Sequence, residues 1–197
     1  MTEIFSIVNQ KGGVGKTTTC INLSAALAKA RRRVLLIDLD PQSNATKGCG
    51  TEVGDERSTV NDLLLNRRSF ADTVLHLDTF NFDILPSTPQ LTEAEVFLLS
   101  TNDKEFTLRK VISDVAPKYD YLIIDCPPSL NILTVNALTA SSGIIIPVQC
   151  EYFALQGLSE LVSTIDMIKK SSNEKIEIKG IIRTMFDSRN NLSLSLI

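Results

Sequence analysis

The sequence predicts an α/β fold, a mostly parallel twisted sheet flanked by helices on both faces. Three observations carry that expectation. Strand-like and helix-like stretches alternate along most of the chain, the pattern of successive strand–helix–strand units. Two of the strands, around Val34-Leu35-Leu36-Ile37 and Leu122-Ile123-Ile124, are unbroken apolar runs, as burial on both faces requires. The first strand, Ile4-Phe5-Ser6-Ile7-Val8, feeds a loop of small residues that opens directly into a helix.

In chain order, strands are expected near residues 3–9, 33–38, 80–85, 120–125, 142–148 and 176–183. Helices are expected near 16–30, 58–66, 90–99, 104–115, 131–140 and 154–170. Residues 51–79 are less periodic and are broken by polar turns. No internal repeat or low-complexity tract interrupts the alternation. A chain of 197 residues can bury one sizeable core, so residues 1–197 are read as one domain. A hydrophobic fraction of 43% with 22% charged residues is ordinary for a globular α/β protein.

The loop reads Gln10-Lys11-Gly12-Gly13-Val14-Gly15-Lys16-Thr17-Thr18. Three glycines let backbone N–H groups converge on one point without interference from Cβ atoms. The N-terminus of the following helix adds partial positive charge at that point, so the loop is built to hold phosphate. Lys16 is placed to reach the β- and γ-phosphates, and the Thr17 hydroxyl to ligate Mg²⁺. The loop and helix start from Gly12 to Thr18, that is Gly12, Gly13, Val14, Gly15, Lys16, Thr17 and Thr18, are therefore read as nucleotide-binding, with Mg²⁺ as the implied metal. Gln10 stands where the usual phosphate loop has glycine, and Lys11 is an additional lysine five residues before Lys16.

The second strand ends in Asp38-Leu39-Asp40-Pro41-Gln42, and ligands bind beyond the carboxyl ends of parallel strands. Residues two apart on a strand point the same way, so Asp38 and Asp40 form a carboxylate pair beside the phosphates. Such a pair can orient an attacking water and steady a metal shell. A strand-terminal pair that merely caps the turn before Pro41 is the structural alternative. Tyr121-Leu122-Ile123-Ile124-Asp125-Cys126-Pro127-Pro128 has the form of a strand whose terminal Asp125 holds Mg²⁺ directly or through water. The two prolines stiffen its exit loop.

The string Lys-Gly-Gly-Val-Gly-Lys-Thr-Thr at 11–18 resembles the deviant phosphate loop of the ParA/MinD family of P-loop ATPases. Further stretches extend the resemblance along nearly the whole chain: Leu85-Pro86-Ser87-Thr88, Asn136-Ala137-Leu138-Thr139-Ala140, and Pro147 to Leu155. These are closer to chromosomal Soj/ParA proteins than to MinD. The resemblance implies that Lys11 crosses a nucleotide-sandwiched homodimer to the other subunit's phosphates. It assigns Lys11, Lys16 and Asp40 to catalysis, with Asp40 on the attacking water and Asp38 nearer the metal. It makes 40–44 the first switch loop and the proline-stiffened exit after Asp125 the second, with 129–133 opening the next helix. It implies non-specific DNA binding in the ATP state, stimulation by a ParB-type protein, and a nucleoid-associated life in the cytoplasm. The segment Asp187-Ser188-Arg189-Asn190-Asn191-Leu192 is similar to the stretch that supplies a basic residue, here Arg189, to the DNA face. A new helix is expected to begin near Asn191. Members of the family continue beyond this point, so an exposed apolar face and an uncovered sheet edge are expected at 176–186.

A net charge of −3 gives no general basic surface, so any DNA contact must be local. Arg31-Arg32-Arg33, Arg67-Arg68 and Lys169-Lys170 are the other candidates. The triple arginine and the lysine pair each close a helix, where cations suit the dipole. No helix-turn-helix segment precedes the first strand, which sets aside sequence-specific autoregulation. Cys20, Cys49, Cys126 and Cys150 have no paired spacing and are read as reduced thiols, against an iron–sulfur carrier of the same superfamily. No apolar run has the length of a membrane span and no signal peptide precedes the first strand, so no membrane partner and a cytoplasmic location are expected. A MinD-like membrane cycle is expected to need a C-terminal amphipathic helix, which these 197 residues do not reach. His76 falls in an amphipathic segment away from every motif and is read as a surface or interface residue.

Overall fold

A computed structural model describes residues 2–54, 57–150, 154–187 and 189. Among these residues seven strands make one sheet: β1 (Glu3–Ile7), β2 (Val34–Asp38), β3 (Leu75–Leu77), β4 (Phe82–Leu85), β5 (Tyr121–Asp125), β6 (Gly143–Gln149) and β7 (Glu177–Thr184). Their spatial order is β3-β4-β2-β5-β1-β6-β7, parallel throughout except for β3 against β4. The helices are α1 (Lys16–Lys29), α2 (Asn44–Gly48), α3 (Val60–Leu64), α4 (Phe70–Thr73), α5 (Leu91–Leu99), α6 (Thr107–Ile112), α7 (Ile132–Ala140) and α8 (Ala154–Ser171).

Alternation of side chains splits the apolar strands between two cores. Leu35, Ile37, Leu122 and Ile124 pack toward residues of α3, α5, α6, α7 and α8. Val34, Leu36 and Ile123 pack on the other face with residues of α1 and α2. All five residues of β2 are buried, which explains why its sequence shows no polar alternation. The face of α1 that meets the sheet carries small residues at every fourth position, Cys20, Ser24 and Ala28, so the helix lies close to the strands. The chain leaves β1 for β2 on one side of β5, and leaves β5 for β6 on the far side of β1. The carboxyl ends of β1, β5 and β2 therefore flank the crevice where an open parallel sheet binds ligands.

All six expected strands form, each within two residues of the expected ends. The expected helix at 104–115 is divided: a 3₁₀ turn at Lys104–Phe106 precedes α6. The helix expected at 58–66 is shorter, running 60–64 behind a capping box in which Thr59 and Asp62 exchange bonds. Three short elements, α2, α4 and β3, have no counterpart in the sequence reading. β3 is an antiparallel edge strand of three residues, and the turn before β4 holds Asn81 at φ 56°. His76 lies on β3 with its side chain 52% exposed, and its Nδ1 is 2.6 Å from Asp83 Oδ1. Among the arginines near the end of α1, Arg33 is bound to Asp120 through its backbone N–H and its guanidinium.

β7 is the outermost strand opposite β3, and Ile178, Ile181 and Ile182 on it are exposed, as are Met185 and Phe186 beyond it. This is the apolar edge expected at 176–186. The helix expected near Asn191 lies outside the described residues. Among the described residues no helix is long and apolar enough to cross a membrane.

Candidate functional site

The loop after β1 wraps the start of α1. Gly13 and Gly15 have φ of 74° and 90°, a region closed to most side chains, which is why the sequence needs glycine there. Gly15 is the N-cap of α1 and lends no side chain to the exposed N–H groups. The first turn of α1 also carries no acidic residue, so its positive end is left for an anion. Lys16 lies along the loop and donates to the Lys11 carbonyl at 3.1 Å. Burial lowers its pKa, against the opposing charges of Asp125 and Asp40. The loop is fastened from a distance, because Thr184 Oγ1 at the end of β7 donates to the Val14 carbonyl at 2.8 Å. The resulting cleft, about 520 Å³, is lined by Gly13, Gly15, Lys16, Thr17, Asp40 and Pro128, among others.

Asp38 and Asp125 are register partners on adjacent parallel strands, and both are completely buried. Asp38 Oδ1 accepts the Asp40 N–H at 3.1 Å. Asp38 Oδ2 accepts both the Thr46 N–H at 2.8 Å and the Thr46 hydroxyl at 2.7 Å. Asp125 differs: Oδ1 accepts the Cys20 thiol at 3.4 Å, and Oδ2 is buried with no hydrogen-bond partner among the described residues. Burial pushes the Asp38 carboxyl up to about 6, against the pull of the Thr46 bonds. Burial pushes Asp125 up to about 7, with the charge of Asp38 adding and the Thr17 and Cys20 side chains opposing.

An orphaned buried carboxylate oxygen beside a threonine hydroxyl is the donor set a Mg²⁺ ion takes alongside phosphate oxygens and water. Thr17 and Asp125 therefore fit a magnesium nucleotide. The expectation that Asp38 lies nearer the metal meets a carboxylate whose two oxygens already accept three bonds from the protein. Asp40 is 6% exposed, lines the cleft, and accepts the Gln42 N–H at 2.9 Å.

Lys11, Gly12, Gly13, Val14, Gly15, Lys16, Thr17 and Thr18 form one continuous loop and helix start, with Asp38, Asp40 and Asp125 at the strand ends beside them. Arg189 belongs to a different segment. Its side chain is 89% exposed and makes a two-pronged pair with Asp187, at 3.0 and 2.8 Å. Thr46, Ser87 and Thr184 were not legible as site residues, since single hydroxyls far apart in sequence carry no motif. All four cysteines are free and buried, and among the described residues no group of three or more His, Cys, Asp or Glu could hold a metal.

The AAA_31 family model, described as an AAA domain, matches residues 2–178. The sporulation initiation inhibitor protein Soj of Bacillus subtilis is 48% identical over 197 residues, all of this chain and 78% of the relative. The chromosome partitioning protein ParA of Myxococcus xanthus is 48% identical over 195 residues, 99% of this chain and 69% of the relative. A solved structure of cobyrinic acid a,c-diamide synthase from Mycobacterium smegmatis, with bound ATP analogue and magnesium, superposes with a TM-score of 0.95 at 36% identity. It covers 100% of this chain and 80% of its own. With near-half identity to Soj and ParA over almost its full length, and a phosphate loop set between two buried strand-end carboxylates, this chain belongs to the ParA/Soj family of P-loop ATPases.

Proposed function

We propose that the protein is an ATP-dependent dimerising switch that hydrolyses ATP slowly, binds DNA without sequence preference in its ATP state, and serves chromosome or plasmid partitioning with a ParB-type partner. One observation carries the reading: the glycine-built cradle, Lys16, Asp40 and the unpartnered Asp125 oxygen converge at neighbouring strand ends in a ParA/Soj chain. Backbone N–H groups of 12–18 receive the phosphates, and Lys16 reaches the β- and γ-groups. Thr17 and Asp125 would hold Mg²⁺, which when bound would supply positive charge to the phosphate oxygens. Asp40 orients the attacking water. The water oxygen bonds to the γ-phosphorus while the bond to the β–γ bridging oxygen breaks, its electron pair leaving on ADP. The water's proton passes to the released phosphate or to solvent. Lys11 of each copy reaches the phosphates bound by the other, so nucleotide and dimer form together.

DNA binding follows from joining two local basic segments, because the whole chain is acidic. Arg189 serves this face, and its pairing with Asp187 means that DNA phosphate competes with that carboxylate. The chain acts in the cytoplasm at the nucleoid, as one domain over residues 1–197. The test is anisotropy of a random-sequence duplex with ATP, ADP or no nucleotide at two salt concentrations. Binding that needs ATP and weakens steeply with salt is expected. Equal binding in all three states, or none by protein that has bound ATP, overturns the reading.

A further inference from the structure

We infer that Thr46 and Ser87 are positioning residues that hold the Asp40 loop in its hydrolytic shape, with Asp38 as their buried anchor. The inference rests on the reading of Asp40 as the residue that orients the attacking water.

The Asp40 peptide is held at both ends. Its N–H donates to Asp38 Oδ1 at 3.1 Å. Its carbonyl accepts the Ser87 hydroxyl at 2.8 Å and the Ser43 N–H at 2.8 Å. Ser87 arrives from the exit of β4, forty-seven residues along the chain. It is itself fixed, because its N–H donates to Thr46 Oγ1 at 2.9 Å. The one hydroxyl proton of Thr46 goes to Asp38 Oδ2 at 2.7 Å, so the same oxygen is donor and acceptor with no freedom left to rotate. The circuit runs Asp38, Thr46, Ser87, Asp40 and back to Asp38, and each of the four is at most 6% exposed.

A turn cap needs one bond from a neighbour in sequence. Here a bond from the β4 exit reaches the peptide that carries the cleft-facing carboxylate, and Thr46 of α2 braces both Asp38 and Ser87, the two residues that hold that peptide. The loop closes through Ser43 at φ 53°, a conformation few non-glycine residues adopt and which the surrounding bonds must maintain. Fixing a water-orienting group to within fractions of an ångström is what such a closed circuit achieves, and rate rather than affinity is sensitive to that placement.

The test compares Thr46→Val, Ser87→Ala and the conservative Thr46→Ser with the unaltered protein, and repeats the first two in an Asp40→Ala background. Readouts are single-turnover ATP hydrolysis, affinity for a fluorescent ATP analogue with Mg²⁺, and thermal unfolding. Thr46→Val and Ser87→Ala are each expected to slow hydrolysis roughly 10-fold or more while affinity stays within about 2-fold. Thr46→Ser should restore most of the rate. In the Asp40→Ala background the same changes should cost nothing further, since they act through Asp40. Normal hydrolysis in folded Ser87→Ala and Thr46→Val, parallel loss of affinity and rate, or additive losses without Asp40 would each overturn the inference. Wild-type hydrolysis by Asp40→Ala alone would instead overturn the underlying role of Asp40.

Discussion

Two carboxylates at matching heights in the sheet have been put to opposite uses. Asp38 and Asp125 end adjacent strands in register, and both are wholly buried, yet the first accepts three protein hydrogen bonds and the second keeps one oxygen bare. The chain that follows each strand decides the difference. After Asp38 the loop turns back through Ser43 into α2 and delivers the Thr46 N–H and hydroxyl to the carboxylate. After Asp125 come Cys126, Pro127 and Pro128, and two prolines have no N–H with which to cap anything. Strand-end position therefore confers burial, while occupancy by donors or by a ligand is set by the loop.

Substitution by asparagine separates the two sites most strongly. Asp38→Asn presents one acceptor oxygen and an NH₂ group to three donors, so at least one buried bond is lost and two donors oppose each other. It should cost about 2–4 kcal/mol of stability, read by denaturant unfolding. Asp125→Asn has no such network to break and should unfold within about 1 kcal/mol of the unaltered protein or above it. Its defect should be a roughly 10-fold or larger loss of Mg²⁺-dependent nucleotide affinity, with metal-free binding retained. Equal destabilisation by both variants would erase the distinction.

The pH dependence of stability sharpens it. The folded-state pKa of Asp125, about 7, lies above its ordinary value of 3.8. Between those values the folded chain holds a proton that the unfolded chain has released. This contribution is fully present below about pH 4, shrinks as pH rises, and is gone above about 7. Asp38, raised to about 6, acts in the same direction over a narrower window. Nucleotide-free protein should therefore melt at a lower temperature at about pH 8 than at about pH 5, and Asp125→Asn should flatten the slope. A slope unchanged in that variant would place the titration elsewhere. The smallest effect belongs to Cys20→Ala, which removes a weak thiol donor from Asp125 Oδ1 and should shift Mg²⁺ dependence by only about 2- to 3-fold. Cys20→Ser should restore it.

The parallel strands were legible because burial on both faces leaves unbroken apolar runs such as Val34 to Ile37. The phosphate loop was legible because positive φ at Gly13 and Gly15, and an uncapped helix start, demand particular residues in sequence order. β3 escaped notice because three residues pairing on one edge need no periodicity of their own. α2 and α4, at five and four residues, are likewise too short to show a helical period.

By itself, then, the sequence determined the alternating α/β layering, the loop built for phosphate, and the carboxylates at two strand ends, since each depends on local conformation or on neighbours a few residues away. Only the tertiary structure decided which carboxylate is satisfied and which is left open, and that Thr46, Ser87 and Thr184 fasten the loops around the cleft. Those bonds join groups separated by 41, 47 and 170 residues, counting Ser87 to Thr46, Ser87 to Asp40 and Thr184 to Val14. A hydroxyl at such a distance leaves no spacing to read; its role exists only once parallel pairing has brought β4 beside β2 and β7 beyond β6.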